Sequence, residues 1–336
     1  MNAWYGTDGG PGVSGPGKWR YEYSEGFGWI FSSAMSTLVI FNPISGAGRA
    51  SRMAEELFSV AEARGVEMEL MKTSPEPPET WLREPLQNRR ALVVIGGDGA
   101  VRSAAAEAAI AGIPIIHMPA GNENLFAREF GMTADPEEVV RRLRLGLVRH
   151  LDLARGRVDG SPDEVIVLMA SIGFDADVVH DLASNRSGPA NHWSYLLPAV
   201  RSLFRFKAPV IHAFVDGEEV FGPRPAVAMV ANSRQYAGRL DPARQARMDD
   251  GLLDLVVMPT RGWWGLVGWL VLLLRGRHLE NSRLCYRAGR SIELRLEEPA
   301  LWQVDGDPPH HSRAVKAVSV EVVPDAFSVL EHPRTD

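Results

Sequence analysis

The residue most in need of a chemical explanation is Asp98, set among Gly96, Gly97 and Gly99 directly after the apolar run Ala91 to Ile95. Glycines lack a Cβ, so they allow φ > 0 and close approach of the main chain to a ligand. Backbone N–H groups and the start of the following helix can then point at an anion. A carboxylate in such a turn repels phosphate on its own. Its chemistry is therefore a bridging cation, a water held for one, or a proton accepted from a hydroxyl. The plain alternative is an ordinary strand-to-helix turn, since short glycine patterns also arise by chance.

Two other polar loops have the same setting. Asn42, Pro43, Ser45, Gly46 and Gly48 follow the apolar run Thr37 to Phe41 and precede a helix expected from about Ala50 to Arg64. Ser45 offers a hydroxyl, Asn42 an amide and Arg49 positive charge for a polyphosphate. No Gly-Lys-Ser/Thr follows, so this is not a Walker A loop. Pro119, Ala120, Gly121, Asn122, Glu123 and Asn124 follow the run Ile113 to Met118 and exceed what capping a helix requires. Thr73, after the run Val66 to Met71, is placed either to touch nucleotide or to cap.

The elements that must position these residues are read from hydrophobic runs. Ala91 to Ile95 fits a strand covered on both faces, and Val101 to Ala111 is an alanine-rich helix former. Strands alternating with helices predict a doubly wound, Rossmann-like sheet over residues 35–150, with all the polar loops on the rim at the strands' carboxyl ends.

From about Leu151 the pattern changes to short apolar runs at Val165 to Met169, Val210 to Val215, Ala226 to Val230, Leu253 to Met258, Ser291 to Leu296 and Val318 to Val323. This predicts an antiparallel β-sandwich-like domain over 151–330, with the tail 331–336 beyond it. Asp216 and Gly217 suit a hairpin turn. Gly262 to Leu274 is the most hydrophobic run. As a helix it rises roughly 20 Å, short of the roughly 30 Å hydrocarbon core, so it does not span a bilayer. It reads first as a buried packing helix; Trp263, Trp264 and Trp269 beside Arg275 and Arg277 also suit a surface lying against headgroups.

Composition is that of a globular chain of 336 residues, and a net charge of −6 argues against nucleic acid as the main partner. One cysteine, Cys285, excludes an internal disulfide and a cysteine-built zinc site. It fits a reducing, cytoplasmic setting, and reads as a half-buried strand residue. The glycine- and aromatic-rich residues 1–34 read as a flexible lead with no export signal, and Met35, directly before the first strand, as the natural start.

Asn42 to Gly46 (NPISG), Gly96 to Ala100 (GGDGA), Pro119 to Arg128 (PAGNENLFAR), Gly173 to Ala176 (GFDA), Asp250 to Leu255 (DGLLDL), Arg275 to Leu279 (RGRHL) and Val304 to Asp307 (VDGD) are ordered as in one family. In these motifs the chain resembles the diacylglycerol kinase catalytic-domain family, which includes bacterial lipid kinases and sphingosine kinases. The resemblance covers nearly everything from Thr37 onward. It implies a Rossmann-like ATP-binding domain, a β-rich lipid-substrate domain and an active site in the cleft between them. The implied reaction is magnesium-assisted transfer of the γ-phosphoryl group of ATP to the hydroxyl of diacylglycerol or a related lipid at a membrane surface.

By the same resemblance Asp307 is the base, Asp98 organises magnesium and water, and Asp250 is the site of a structural magnesium. ATP lies against Asn42, Pro43, Ser45, Gly46, Thr73, Gly96, Gly97, Asp98, Gly99, Ala100, Gly121, Asn122 and Asn124. Asp305 reads as a turn former and Asp254 as structural. Bacterial relatives often dimerise, so a homodimer is within what the family implies. The chain departs from the pattern at Ala100 and Asn122, where the family commonly has threonine. It departs again at Glu123 to Leu125, where asparagine and aspartate often precede the phenylalanine, and at Asp307, where glutamate is usual. The alternatives are an NAD kinase-like enzyme with a soluble acceptor, or a non-catalytic nucleotide- or lipid-binding homologue.

Overall fold

The computed structural model describes residues 35–46, 48–184, 203, 206–310 and 313–332; the expected lead 1–34 and the tail residues 333–336 lie outside them. Strands and helices alternate at first: β1 (Thr37–Phe41), α1 (Arg49–Ala63), β2 (Met68–Lys72), α2 (Pro78–Trp81), β3 (Ala91–Gly96), α3 (Asp98–Ala111) and β4 (Ile115–Pro119). Then come α4 (Leu125–Glu129) and α5 (Pro136–Leu145). The four strands are parallel in the order β2-β1-β3-β4. Every residue of β1 and β3 is buried, as continuous apolar runs covered on both faces require. Alternate side chains go to opposite faces: Leu38, Ile40, Leu92 and Val94 pack toward α3, whereas Val39, Phe41, Val93 and Ile95 pack toward α1 and α5.

The remaining elements are β5 (Val148–Arg157), β6 (Glu164–Ile166), β7 (Met169–Ile172), α6 (Phe174–Ser184), β8 (Val210–Val215), β9 (Glu218–Ala231) and β10 (Leu253–Pro259). After them come α7 (Trp263–Leu274), β11 (Cys285–Gly289), β12 (Ser291–Ala300), β13 (Trp302–Val304) and β14 (Val315–Leu330). One antiparallel layer runs β6-β5-β14-β12-β8, the other β11-β10-β9-β7-β13, around a shared core of Ile211, Phe221, Leu255, Ile292, Trp302 and Val320. Two long strands tie the parts together. β9 pairs with β8 through Pro225 and with β10 and β7 from Ala226 onward. β14 ends parallel to β4, with Val329 opposite Ile115, so one hydrogen-bonded path links both parts.

Two local expectations are revised. α3 begins at Asp98 rather than Val101, so Asp98, Gly99 and Ala100 form its first turn. α7, read first as a packing helix, buries Trp269 and Leu273 while Trp264 and Leu274 stay 73% and 69% exposed. Cys285 opens β11, half-buried, and burial pushes its thiol pKa up.

Asp216 and Gly217 turn the β8–β9 hairpin with φ of 50° and 85°, and Asp216 Oδ1 accepts the N–H groups of Arg290 and Ser291 at 2.9 Å. Both central residues at positive φ define a hairpin turn that favours glycine. Gly217→Ala is therefore expected to cost about 1 kcal/mol in denaturant unfolding.

Candidate active site

Register brings the polar loops to one rim. Phe41 lies opposite Ile95 and Lys72, and Gly96 opposite Pro119, so the residues after β1, β2, β3 and β4 leave the sheet at one level. The Asn42 side chain accepts the Ile44 N–H at 3.1 Å, and Gly46 turns with φ +59°. A Cβ on Gly46 would stand 2.8 Å from the Ala120 carbonyl oxygen, to which Arg49 Nη2 also donates at 2.9 Å. Thr73 is placed at this end of the sheet by its N–H, which donates to the Phe41 carbonyl at 3.0 Å.

The central glycines work by closeness rather than by positive φ. None of Gly96, Gly97 and Gly99 has a left-handed backbone. Instead, a Cβ on Gly121 would meet Gly97 Cα at 2.8 Å and Asn124 Oδ1 at 2.9 Å. A side chain at Gly121 would wedge these two loops apart, whereas a Cβ on Gly97 would rest 3.6 Å from Gly121 Cα, an ordinary contact. Asn124, at φ 50°, clasps Gly121: its Oδ1 accepts the Gly121 N–H at 3.0 Å, and its Nδ2 donates to the Gly121 carbonyl at 2.9 Å. Asn122 stands exposed between them. Glu123 reaches across to the second half, accepting the Gly238 N–H at 3.3 Å.

Asp98 has a role that its loop position did not reveal. Its two oxygens accept the N–H groups of Leu125 and Phe126, each at 2.9 Å, so it caps α4 from another loop. Each oxygen keeps a further lone pair. Behind the turn, buried His117 lies 2.9 Å through Nε2 from the Gly96 carbonyl; a carbonyl only accepts, so Nε2 carries the hydrogen. Burial lowers the His117 pKa, which keeps the ring neutral beneath the loop.

Asp307 reaches this rim from the second half. β13 pairs with β7, and the chain turns at Asp305 and Gly306, with φ 51° and 85°. The turn is closed by reciprocal backbone bonds of 2.9 Å between Val304 and Asp307. Asp305 accepts the N–H groups of Val167, Leu168 and Met169 at 2.8–2.9 Å, so it is a clamp as well as a turn former. Arg102 of α3 donates to the Val304 carbonyl at 3.4 Å and to Glu164 at 2.6 Å, docking the helix against the turn. The Asp307 Oδ2 comes to rest 3.1 Å from where a Cβ on Gly99 would stand. The carboxylate thus lies over the first turn of α3, where the helix dipole favours negative charge. Helical bonding starts at the Ala100 N–H, so the preceding amides of the turn remain as donors for an anion.

A buried network that sequence reading missed supports this turn. Gln303 accepts the Gly306 N–H at 2.8 Å and donates to Ser171 at 2.7 Å and Asp175 at 3.5 Å. Ser171 and Tyr236 also donate to Asp175 Oδ2. Burial pushes the Asp175 carboxyl above its ordinary range; burial, then Asp175, raises Asp177 to about 6. The GFDA motif contained Asp175, but its partners come from three other segments.

Asp250 belongs to a different surrounding. It is exposed, its Oδ1 accepts the Leu252 N–H at 3.1 Å, and after burial its charge contributes to raising the Asp254 pKa. Asp254 is buried within β10. Among the described residues no group of three or more His, Cys, Asp or Glu side chains is placed to hold a metal ion. A magnesium ion carried by a nucleotide needs only one or two carboxylates besides phosphate and water. Asp98 and Asp307 at the rim fit that set. An ion at Asp250 would have to complete its shell with backbone carbonyls and water. In the RGRHL segment, His278 is buried with Nε2 3.0 Å from the Pro242 carbonyl, which gives it a packing role.

Comparison with known proteins places both halves of the chain. Residues 36–155 match the family model of the diacylglycerol kinase catalytic domain, and residues 168–331 the model of the YegS C-terminal NAD kinase beta sandwich-like domain. The diacylglycerol kinase of Mycobacterium tuberculosis (strain ATCC 25618 / H37Rv) is 27% identical over 296 residues, 87% of this chain and 94% of that protein. A Pseudomonas aeruginosa PAO1 protein named "Probable lipid kinase YegS-like" is 30% identical over 227 residues, 65% of this chain and 70% of that one. The crystal structure of a diacylglycerol kinase from Bacillus anthracis str. Sterne covers 89% of this chain and 97% of its own, with TM-score 0.61 and 16% identity, a likeness of fold. Family models and relatives point the same way: the chain belongs to the diacylglycerol kinase catalytic-domain family of YegS-like lipid kinases.

Proposed function

We propose that this chain transfers the γ-phosphoryl group of ATP to the hydroxyl of diacylglycerol or a related lipid, with magnesium assisting. The observation that carries the reading is Asp307, set by one half of the molecule over the first turn of α3 in the other. The glycine rim formed by Asn42 to Gly46, Gly96 to Ala100 and Gly121 to Asn124 receives the triphosphate. Close backbone approach and free first-turn amides hold anionic oxygens there without a lysine from a Walker motif.

Asp307 accepts the proton of the attacking hydroxyl, and the fixed turn at Val304 to Asp307 keeps its carboxylate in line with the phosphate. Asp98 acts chiefly by holding α4 and the Gly121–Asn124 loop in place, with its remaining lone pairs available to a hydrated cation. Magnesium, when bound there, would supply positive charge to offset the negative charge developing on the phosphate. Ala100 and Asn122 take the place of hydroxyl side chains, but the first-turn amides of α3 before Ala100 remain as donors. ATP and magnesium are thus the implied cofactor and metal, and the acceptor is a lipid at a membrane surface.

The test is transfer of γ-labelled phosphate from magnesium ATP by purified protein into mixed micelles of candidate lipids, followed by organic extraction. Label is expected in the organic phase and absent when magnesium is chelated. Label that stays in water on a soluble acceptor would instead establish the NAD kinase-like alternative. No transfer despite ATP binding would leave a non-catalytic homologue.

A further inference from the structure

α7 is an unusual surface helix. Its 12 residues contain no charged or hydrogen-bonding side chain other than tryptophan, yet only Trp269 and Leu273 are buried. Leu266 packs inward on the cluster of Phe206, Ala208 and Val227. The outer face is formed by Trp264, Leu270, Val271 and Leu274, exposed by 73%, 42%, 38% and 69%. With Leu279, these make five of the nine large apolar side chains that are exposed among the described residues, so the patch is concentrated in one place. Trp263 stacks on Trp264 with ring centroids 3.6 Å apart. A contiguous apolar patch of this kind marks an interaction surface.

Charge identifies the occupant. Arg261 precedes the helix, Arg275 and Arg277 follow it, and exposed Lys207 pairs through its backbone with Gly262. Arg277 is matched by Glu280 at 2.8 Å, whereas neither Arg261 nor Arg275 pairs with a carboxylate among the described residues. An apolar face with tryptophan at one end and arginines at both suits the boundary between acyl chains and anionic headgroups. A second copy docked by the same face would bring like charges together. The helix is too short to cross a bilayer, so it lies along one.

We propose that the outer face of α7 docks on an anionic lipid bilayer. Both ends of the helix lead back to the rim, which gives docking a purpose under the lipid-kinase reading. Leu266 packs on the same Phe206, Ala208 and Val227 cluster as Phe174, the residue before Asp175, while Arg244 donates to the Gly276 carbonyl at 3.2 Å and His278 meets Pro242. The same connecting segment carries Gly238, which donates to Glu123 of the site loop.

Binding of the full chain to vesicles tests this without reference to catalysis. Vesicles of phosphatidylcholine and phosphatidylglycerol in equal parts are expected to co-sediment the protein, pure phosphatidylcholine much less, and added salt to weaken the difference. Arg261→Gln and Arg275→Gln should each lower affinity about fivefold. Trp264→Asp with Leu274→Asp should lower it more than about tenfold while leaving thermal unfolding unchanged, because both side chains are already exposed. Wild-type binding without these losses would overturn the proposal. So would absence of binding, or a dimer in sedimentation that the double variant turns into monomer. Lipid phosphorylation in micelles without vesicle binding would sink the docking face and leave the proposed reaction standing; binding without phosphorylation would do the reverse.

Discussion

Asp307→Asn is expected to lower kcat for phosphoryl transfer by roughly a hundred- to ten-thousand-fold, the range for removing a positioned general base, with folding and ATP affinity retained. Asparagine has nearly the same shape, and the turn is held by other groups: the Asp305 carboxylate, the Gln303 amide and the backbone bonds between Val304 and Asp307. A second substitution tests the geometry. Gly99 lies in the first turn of α3 without a positive φ, so alanine there suits the helix and gains up to about 1 kcal/mol. Its Cβ, however, would stand 3.1 Å from Asp307 Oδ2 and push the carboxylate aside by a few tenths of an ångström. Since a misplacement of about 1 Å can cost a hundredfold, Gly99→Ala should lower kcat about tenfold while thermal stability holds or rises. Steady-state kinetics beside thermal unfolding reads both effects. Unchanged kcat in both variants would place the base elsewhere.

Asp98→Ala is expected to destabilise the fold by about 3 kcal/mol and to abolish nucleotide binding. The carboxylate accepts two backbone N–H bonds from the start of α4, and bonds to a charged acceptor contribute about 1.5–3 kcal/mol each. The short α4 has no side-chain cap from its own N-cap residue, Asn124, whose amide is engaged with Gly121. Asp98→Asn keeps one acceptor and turns an NH₂ toward the other N–H, so it should fall between wild type and alanine. Denaturant unfolding at constant m-value measures the loss. A pair of Asp98 variants with wild-type midpoints and normal ATP affinity would show that the two bonds matter little in solution. The contrast with Asp307 is expected to separate the two acids: loss of structure from substitution at Asp98, loss of chemistry from substitution at Asp307.

The alternation of strands and helices in the first half was legible because continuous apolar runs, glycine turns and alanine-rich segments are local signals. Their period and length bound the element whatever its partners. The three polar loops were legible for the same reason, since parallel strands joined by helices put their carboxyl ends on one edge. The sequence by itself also determined the residue types that meet there and the motifs that mark the family.

Tertiary structure decided what those residues do. The role of Gly121 depends on the Gly97 backbone across two loops, so no torsion preference could reveal that it serves closeness rather than positive φ. Asp98 spends two lone pairs on amides from another loop, and Asp305 spends its own on the 167–169 backbone. Asp307 meets Gly99 across more than half the chain because β13, β7 and Arg102 dock the two halves. Hydrophobicity told that α7 would form a helix, but only packing chose which side chains stayed outside: Phe206, Ala208 and Val227 cover one side and leave Trp264 and Leu274 exposed. Long-range hydrogen bonds and packing have no local period to read; they exist only once the chain has closed on itself.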